Sequence, residues 1–207
     1  KNFPIPTPET IPLTIDDVSN VRWSYGGGKL LSEIALYSYR EMCGLDRFSI
    51  VRLHNIYGPR MGFEHVIPQF IERILKKEFP FKIYGGEETR SFCYINDVLD
   101  SLTHIMESDE TNGEIYNVGN DDEEIKIMDL AKKLFEIADV NPDIKVLPAP
   151  KGSVSRRCPD ITKLKSIGYE KQTSLEEGLN NTFEWYKNHY KWYSKKYTKG
   201  VYSNETK

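Results

Sequence analysis

The sequence predicts an α/β fold. Residues 24–42 carry apolar side chains at helical spacing, and an apolar run at 48–53 then reads as a buried strand. A second strand, 114–119, precedes an amphipathic helix over 126–140 whose apolar stripe is Ile127, Leu130, Leu134, Phe135 and Ala138. Ser174-Leu175-Glu176-Glu177 is a capping box that opens a last helix to about residue 189. Helical and strand periods therefore alternate along the chain.

Composition narrows the function classes. The chain has 207 residues, 39% hydrophobic and 29% charged, which suits a globular protein of one or two domains with a sizeable core. Net charge is −3 and no long basic run occurs, so no nucleic-acid partner and no membrane surface is expected. No stretch approaches the ~20 apolar residues of a membrane span, and no secretory leader is visible. Cys43, Cys93 and Cys158 are few and widely spaced, which predicts a cytoplasmic protein with neither a disulfide framework nor a metal site.

Residues 1–20 are proline-rich and irregular. In the first helix, Leu30, Leu31, Ile34, Ala35, Tyr37 and Tyr39 give the period, and Gly44 is the stop. Tyr25 and Lys29 are four apart and share a face. A free phenol has a pKa near ~10, and a neighbouring ammonium favours the phenolate, as a general base requires. A chance pair on a helix surface is the alternative. Gly26, Gly27 and Gly28 lie between the two, each costing about 0.5–1 kcal/mol in a helix, which asks for close approach of a ligand or another backbone.

The strand at 48–53 runs into His54-Asn55-Ile56-Tyr57-Gly58-Pro59-Arg60, at the end where open α/β sheets bind ligands. Met61 to Pro68 forms a loop leading to a helix at about 69–77. Phe79 to Gly86 contains a short strand. In Arg90-Ser91-Phe92-Cys93-Tyr94-Ile95-Asn96-Asp97-Val98, Asp97 is expected to cap a helix starting near Val98, and Cys93 to be a small core residue. Arg156 and Arg157 precede Pro159-Asp160-Ile161. Residues 191–207 alternate Lys with Tyr and then turn polar.

These motifs together resemble the extended short-chain dehydrogenase/reductases, in their NAD-dependent nucleotide-sugar branch of epimerases, 4,6-dehydratases and UDP-glucuronate decarboxylases. The matching segments are Ser24-Tyr25-x-x-x-Lys29, Arg52-x-x-Asn55-x-Tyr57-Gly58-Pro59, and Arg90-x-Phe92-x-Tyr94-Ile95-x-Asp97-Val98, where relatives have Val at the Ile95 position. The resemblance implies a partial doubly wound, Rossmann-type parallel sheet with a smaller mixed α/β substrate domain. No Gly-x-x-Gly-x-x-Gly follows an early strand, so the N-terminal glycine-rich unit is expected to be missing and the chain to be the C-terminal part of such a protein. The implied division is 1–58 and 114–140 for NAD binding, 59–113 and 141–190 for substrate, and 191–207 as a tail.

The resemblance also implies roles. Tyr25 takes the proton of the sugar 4-hydroxyl. Lys29 lowers the Tyr25 pKa, and both touch the NAD cofactor, as does the backbone at His54. Asn55 meets the substrate. The loop carrying His65 and Val66 closes over the nucleoside-diphosphate sugar. Backbone at Lys82 and Ile83 reads the base, with Tyr84 beside it. Arg90 clamps phosphate with its planar fork, and Arg156 or Arg157 reaches the diphosphate or ribose. A homodimer through the Tyr–Lys helix, with Leu36, Tyr37 and Tyr39 as its apolar surface, is implied as well. The product depends on the fate of a 4-keto intermediate, and the sequence leaves it open. A non-catalytic scaffold and a nicotinamide enzyme with a non-nucleotide substrate are the other readings.

Overall fold

A computed structural model describes residues 3–15, 17–21, 23–150 and 153–201, with side chains through residue 196. Helix α1 (Trp23–Cys43) ends at Gly44, whose φ of +68° is a left-handed conformation that glycine adopts without penalty. Strand β1 (Ile50–Leu53) follows and pairs in parallel with β6 (Ile115–Val118). Two other parallel pairs form: β2 (Ile56–Tyr57) with β5 (Cys93–Tyr94), and β3 (Phe81–Tyr84) with β8 (Ile144–Leu147). In a three-stranded sheet, β4 (Thr89–Ser91) lies between antiparallel β7 (Glu124–Lys126) and parallel β9 (Arg156–Arg157). The helices are α2 (Val66–Leu75), α3 (Ile95–Glu107), α4 (Ile127–Ile137), α5 (Thr162–Ser166) and α6 (Leu175–Val201). The protein is thus α/β with parallel strands.

Two cores hold these elements. In the first, α2, α4 and α6 close over β3, with Ile71, Phe81, Leu130, Leu134 and Leu179 fully buried. The Phe81 ring meets Phe70 and Phe135 edge-on, at 5.3 and 4.9 Å between centroids. Each such side chain contributes about 1.5–3 kcal/mol through burial. In the second, α3 and α5 pack on β6 through Val98, Ile105, Val118, Ile161 and Leu164. Helix α4 thus packs with α2 and α6, and α3 packs on β6.

Helix α2 starts at Val66, earlier than expected, because Pro68 falls in its first turn, where amide groups have no helical partner to lose. Helix α6 has its capping contact, Glu177 N–H to Ser174 Oγ at 3.2 Å, but runs to Val201, well past 189.

Asp97 does not cap its helix. Helix α3 begins at Ile95, so Asp97 lies inside its first turn, only 1% exposed. Its Oδ1 accepts the Gln172 and Thr173 amides at 3.1 and 3.2 Å and the Thr173 hydroxyl at 3.3 Å, fixing the entry to α6. Asp97→Ala strands those partly buried donors and is expected to cost about 1–2 kcal/mol, read as a lower urea midpoint.

Helix α1 contrasts with the other long helices in having no buried residue. Leu31, Ile34 and Tyr39 are 66%, 53% and 60% exposed. Tyr37 donates to the Gly113 carbonyl at 3.1 Å, and Glu33 pairs with Arg52 of β1.

Candidate active site

Tyr25 and Lys29 do share a face of α1. The Lys29 ammonium lies 5.4 Å from the Tyr25 ring centroid, within cation–π range. Both line a cavity of about 560 Å³ between α1, β1 and residues 13–15, with Trp23, Glu33 and Arg52 among its other walls. Tyr25 is 75% exposed, so its hydroxyl is open to whatever enters.

The three glycines have unequal reasons. A Cβ on Gly27 would stand 3.2 Å from Ile15 Cδ1, which is tight, whereas one on Gly28 would meet nothing within 4 Å. Close approach of another segment accounts for Gly27. Nothing in the described residues accounts for Gly28.

Sequence reasoning missed Glu33 and Arg52 as cavity residues. They form a bidentate pair, Nε to Oε1 at 2.9 Å and Nη2 to Oε2 at 2.7 Å, with side chains 17% and 18% exposed. Arg52 also donates to the Glu9 carbonyl at 3.0 Å, and Glu9 accepts the Asn117 amide at 2.8 Å. The pair fixes α1, and with it Tyr25 and Lys29, against β1. Two signals were available. Glu33 continues the Tyr25, Lys29 spacing by four, and Arg52 interrupts an apolar strand, where a charge needs a partner.

The cavity reaches Leu53, the last residue of β1, two before Asn55. His54 Nε2 lies 2.9 Å from Asn117 Oδ1, and its amide donates to Val118 at 2.9 Å. Asn55 has φ of +46°, a strained conformation for a side-chain-bearing residue. Its carboxamide donates to the Ser91 carbonyl at 2.9 Å, and its carbonyl accepts the Cys93 amide. Asn55 therefore ties β1 to the end of β4 beside Arg90, and its amide group is engaged with protein.

Burial holds the His54 imidazole below its ordinary 6.5, against an upward pull from Asn117. The folded state resists protonation more than the unfolded chain does. The resulting stability is full above pH 6.5 and is lost as pH falls from there through the lower folded value. His54→Gln is expected to flatten that slope, as denaturant midpoints between roughly pH 5 and 8 will report.

The structure brings the two arginine segments together, with Arg90 and Arg157 on one face of the sheet and Arg156 on the other. In the parallel β4–β9 register Thr89 faces Arg156 and Arg90 faces Arg157, although the segments are far apart in sequence. Arg90, 13% exposed, pairs with Glu88 at 2.9 Å and donates to the Thr89 carbonyl at 2.7 Å. Arg156 Nε binds both oxygens of Glu124, at 2.9 and 3.0 Å, and Arg157 is exposed. Glu124 also accepts the Thr89 hydroxyl, and the Arg156 guanidinium holds its carboxyl below the ordinary value. Glu88 and Glu124 were missed because in sequence they read only as members of acidic surface runs.

On β3, Lys82 and Tyr84 point outward while Ile83 is fully buried, leaving only Ile83 backbone for a ligand. Val66 is half-buried at the start of α2, and His65 is exposed just before it. No lining residue of the α1 cavity comes from the arginine sheet, so the Tyr–Lys pair and the arginines lie in two separate parts. Cys93 is buried, its thiol pushed up to about 12 by desolvation. Among the described residues no helix is long and apolar enough to cross a membrane, and no group of three acidic, His or Cys side chains is placed to hold a metal.

Comparison with known proteins gives the family. Residues 3–119 match the family model for NAD dependent epimerase/dehydratase proteins. The chain is 35% identical over 177 residues to UDP-glucuronic acid decarboxylase 5 of Arabidopsis thaliana, covering 84% of this chain and 50% of that protein. It is 34% identical over 195 residues to UDP-N-acetyl-alpha-D-glucosaminuronate decarboxylase of Bacillus cytotoxicus, covering 86% and 59%. Among solved structures, UDP-glucose 4-epimerase of Thermotoga maritima with UDP-glucose superposes at a TM-score of 0.77, with 33% identity over 92% of this chain and 59% of that one. The chain belongs to the NAD dependent epimerase/dehydratase family. It spans about half the length of the curated relatives it matches.

Proposed function

We propose that the protein acts on a nucleoside-diphosphate sugar by NAD-dependent oxidation at the sugar C4. The single observation that supports this best is the β4–β9 pairing, which gathers Arg90, Arg156 and Arg157 on one small sheet. Arg90 and Arg157, from separate segments, take the same face of that sheet and suit a diphosphate, which a guanidinium can grip with paired donors, while Arg156 lies with Glu124 on the other face. The names of the relatives, which are UDP-sugar enzymes, favour UDP as the carrier.

The described residues fit the reactive end of a nicotinamide site. Tyr25 and Lys29 face the same cavity, and the backbone at His54 lies beyond the strand end next to it. NAD, when bound, supplies the hydride acceptor. Tyr25 takes the 4-hydroxyl proton, Lys29 stabilises the phenolate, and the arginines fix the diphosphate so that the reacting carbon is held in place. Val66 and the loop before it, the backbone at Lys82 and Ile83, and Tyr84 border the base and sugar in this reading. The core over β6 then belongs to the nucleotide-binding part and the core over β3 to the substrate part. A cytoplasmic homodimer through the exposed apolar residues of α1 completes it.

Isothermal titration of the protein with UDP, GDP and dTDP tests the substrate class. UDP is expected to bind more tightly than the other two. Binding of none of them would exclude a nucleotide-sugar site.

A further inference from the structure

We propose that the far end of α6 latches the loop 58–65 and thereby sets the affinity of the nucleotide-sugar site, with Tyr186 and Tyr193 as positioning residues. The inference rests on the functional reading above, since that reading makes this loop a wall of the site.

The loop leaves β2 under constraint. A Cβ on Gly58 would come 2.6 Å from Ile95 Cγ2, and Arg60 has φ of +65°, a conformation that non-glycine residues keep only where their surroundings enforce it. What enforces it comes from residues 125 and 133 positions away in sequence. The Tyr193 hydroxyl donates to the Arg60 carbonyl at 2.5 Å, and the Tyr186 hydroxyl donates to the Met61 carbonyl. The two phenols are seven residues apart on α6 and so share a face. The Phe63 ring packs against both, at 5.6 Å between centroids in each case, and Trp185 backs them at 5.0 and 5.2 Å. Tyr186 is 0% and Tyr193 9% exposed, so both phenols are held in the core while the bonds they make to the loop are partly buried.

The loop is also joined to the anion grip. It starts three residues after Asn55, whose carboxamide binds the Ser91 carbonyl beside Arg90. Displacing the loop therefore moves a strand end that is tied to the arginine sheet. Phenol-to-carbonyl bonds contact only loop backbone, so α6 positions the loop without supplying a ligand contact of its own.

Tyr193→Phe tests the latch, with Tyr190→Phe as the control, because the Tyr190 hydroxyl faces Glu72 of α2 at 3.4 Å rather than the loop. Two readouts are taken: the rate of tryptic cleavage after Arg60, followed by mass spectrometry, and the dissociation constant for UDP. Tyr193→Phe is expected to speed cleavage and to raise the UDP dissociation constant, each by about five- to tenfold, the loss of one partly buried hydrogen bond. Tyr190→Phe is expected to change neither. An unchanged dissociation constant in Tyr193→Phe overturns the latch, as does an equal rise in Tyr190→Phe. Absence of UDP binding in the unaltered protein overturns the functional reading first, and the latch with it.

Discussion

Tyr25→Phe is expected to leave nucleotide-sugar affinity unchanged and to lower hydride transfer in the full-length protein by roughly 10²–10⁴-fold, the range of a lost general base. The side chain is 75% exposed, so deleting one oxygen opens no cavity in a core. The phenyl ring that Lys29 stands over is retained, and the Glu33–Arg52 pair still fixes the helix. Only the ionisable hydroxyl is lost. A fall in turnover with an unchanged dissociation constant therefore assigns the proton transfer to Tyr25. Turnover retained within a few fold would remove Tyr25 from the chemistry and leave the arginine sheet as a binding site only.

Arg90→Ala has the second large effect, and it acts on two measurements. Arg90 and Glu88 are 13% and 15% exposed, so truncating the arginine leaves a largely buried carboxylate without its cation. Breaking a buried pair in this way costs about 3–5 kcal/mol, and the lost donation to the Thr89 carbonyl adds to it. A melting temperature lowered by several degrees is expected. The same change removes a diphosphate contact, and UDP affinity is expected to fall by about 30-fold or more. The double variant Glu88→Ala/Arg90→Ala separates the two effects. It restores much of the stability, because no charge is left buried alone, while UDP affinity stays low. Affinity recovered along with stability would mean that Arg90 serves only the fold.

Much of this fold is legible in the sequence. The strand before His54, though only Ile50 in it is buried, the α4 stripe and the Ser174 box depend on periodicity and capping, which are local. The elements that were misjudged depend on contacts made across the chain. Asp97 reads as a cap until α3 is seen to begin two residues before it, with its carboxylate turned to the Gln172 and Thr173 amides. Helix α6 runs on into its polar, Lys-rich sequence, where Tyr193 finds a partner in the loop 58–65. The site follows the same division. Tyr25 and Lys29 sit together because a helix places them so, whereas the nearness of Arg90 to Arg156 and Arg157 comes from a strand pairing that no local signal announces. Their carboxylate partners, Glu88 and Glu124, are visible only once that pairing is known.

Amide hydrogen exchange of the protein with and without UDP tests most directly whether these arginines form the diphosphate grip. The account predicts slower exchange on ligand binding at residues 89–91 and 155–158, with the ends of α1 unaffected until a sugar and cofactor are added. Protection that omits both of those segments, with UDP demonstrably bound, would contradict it.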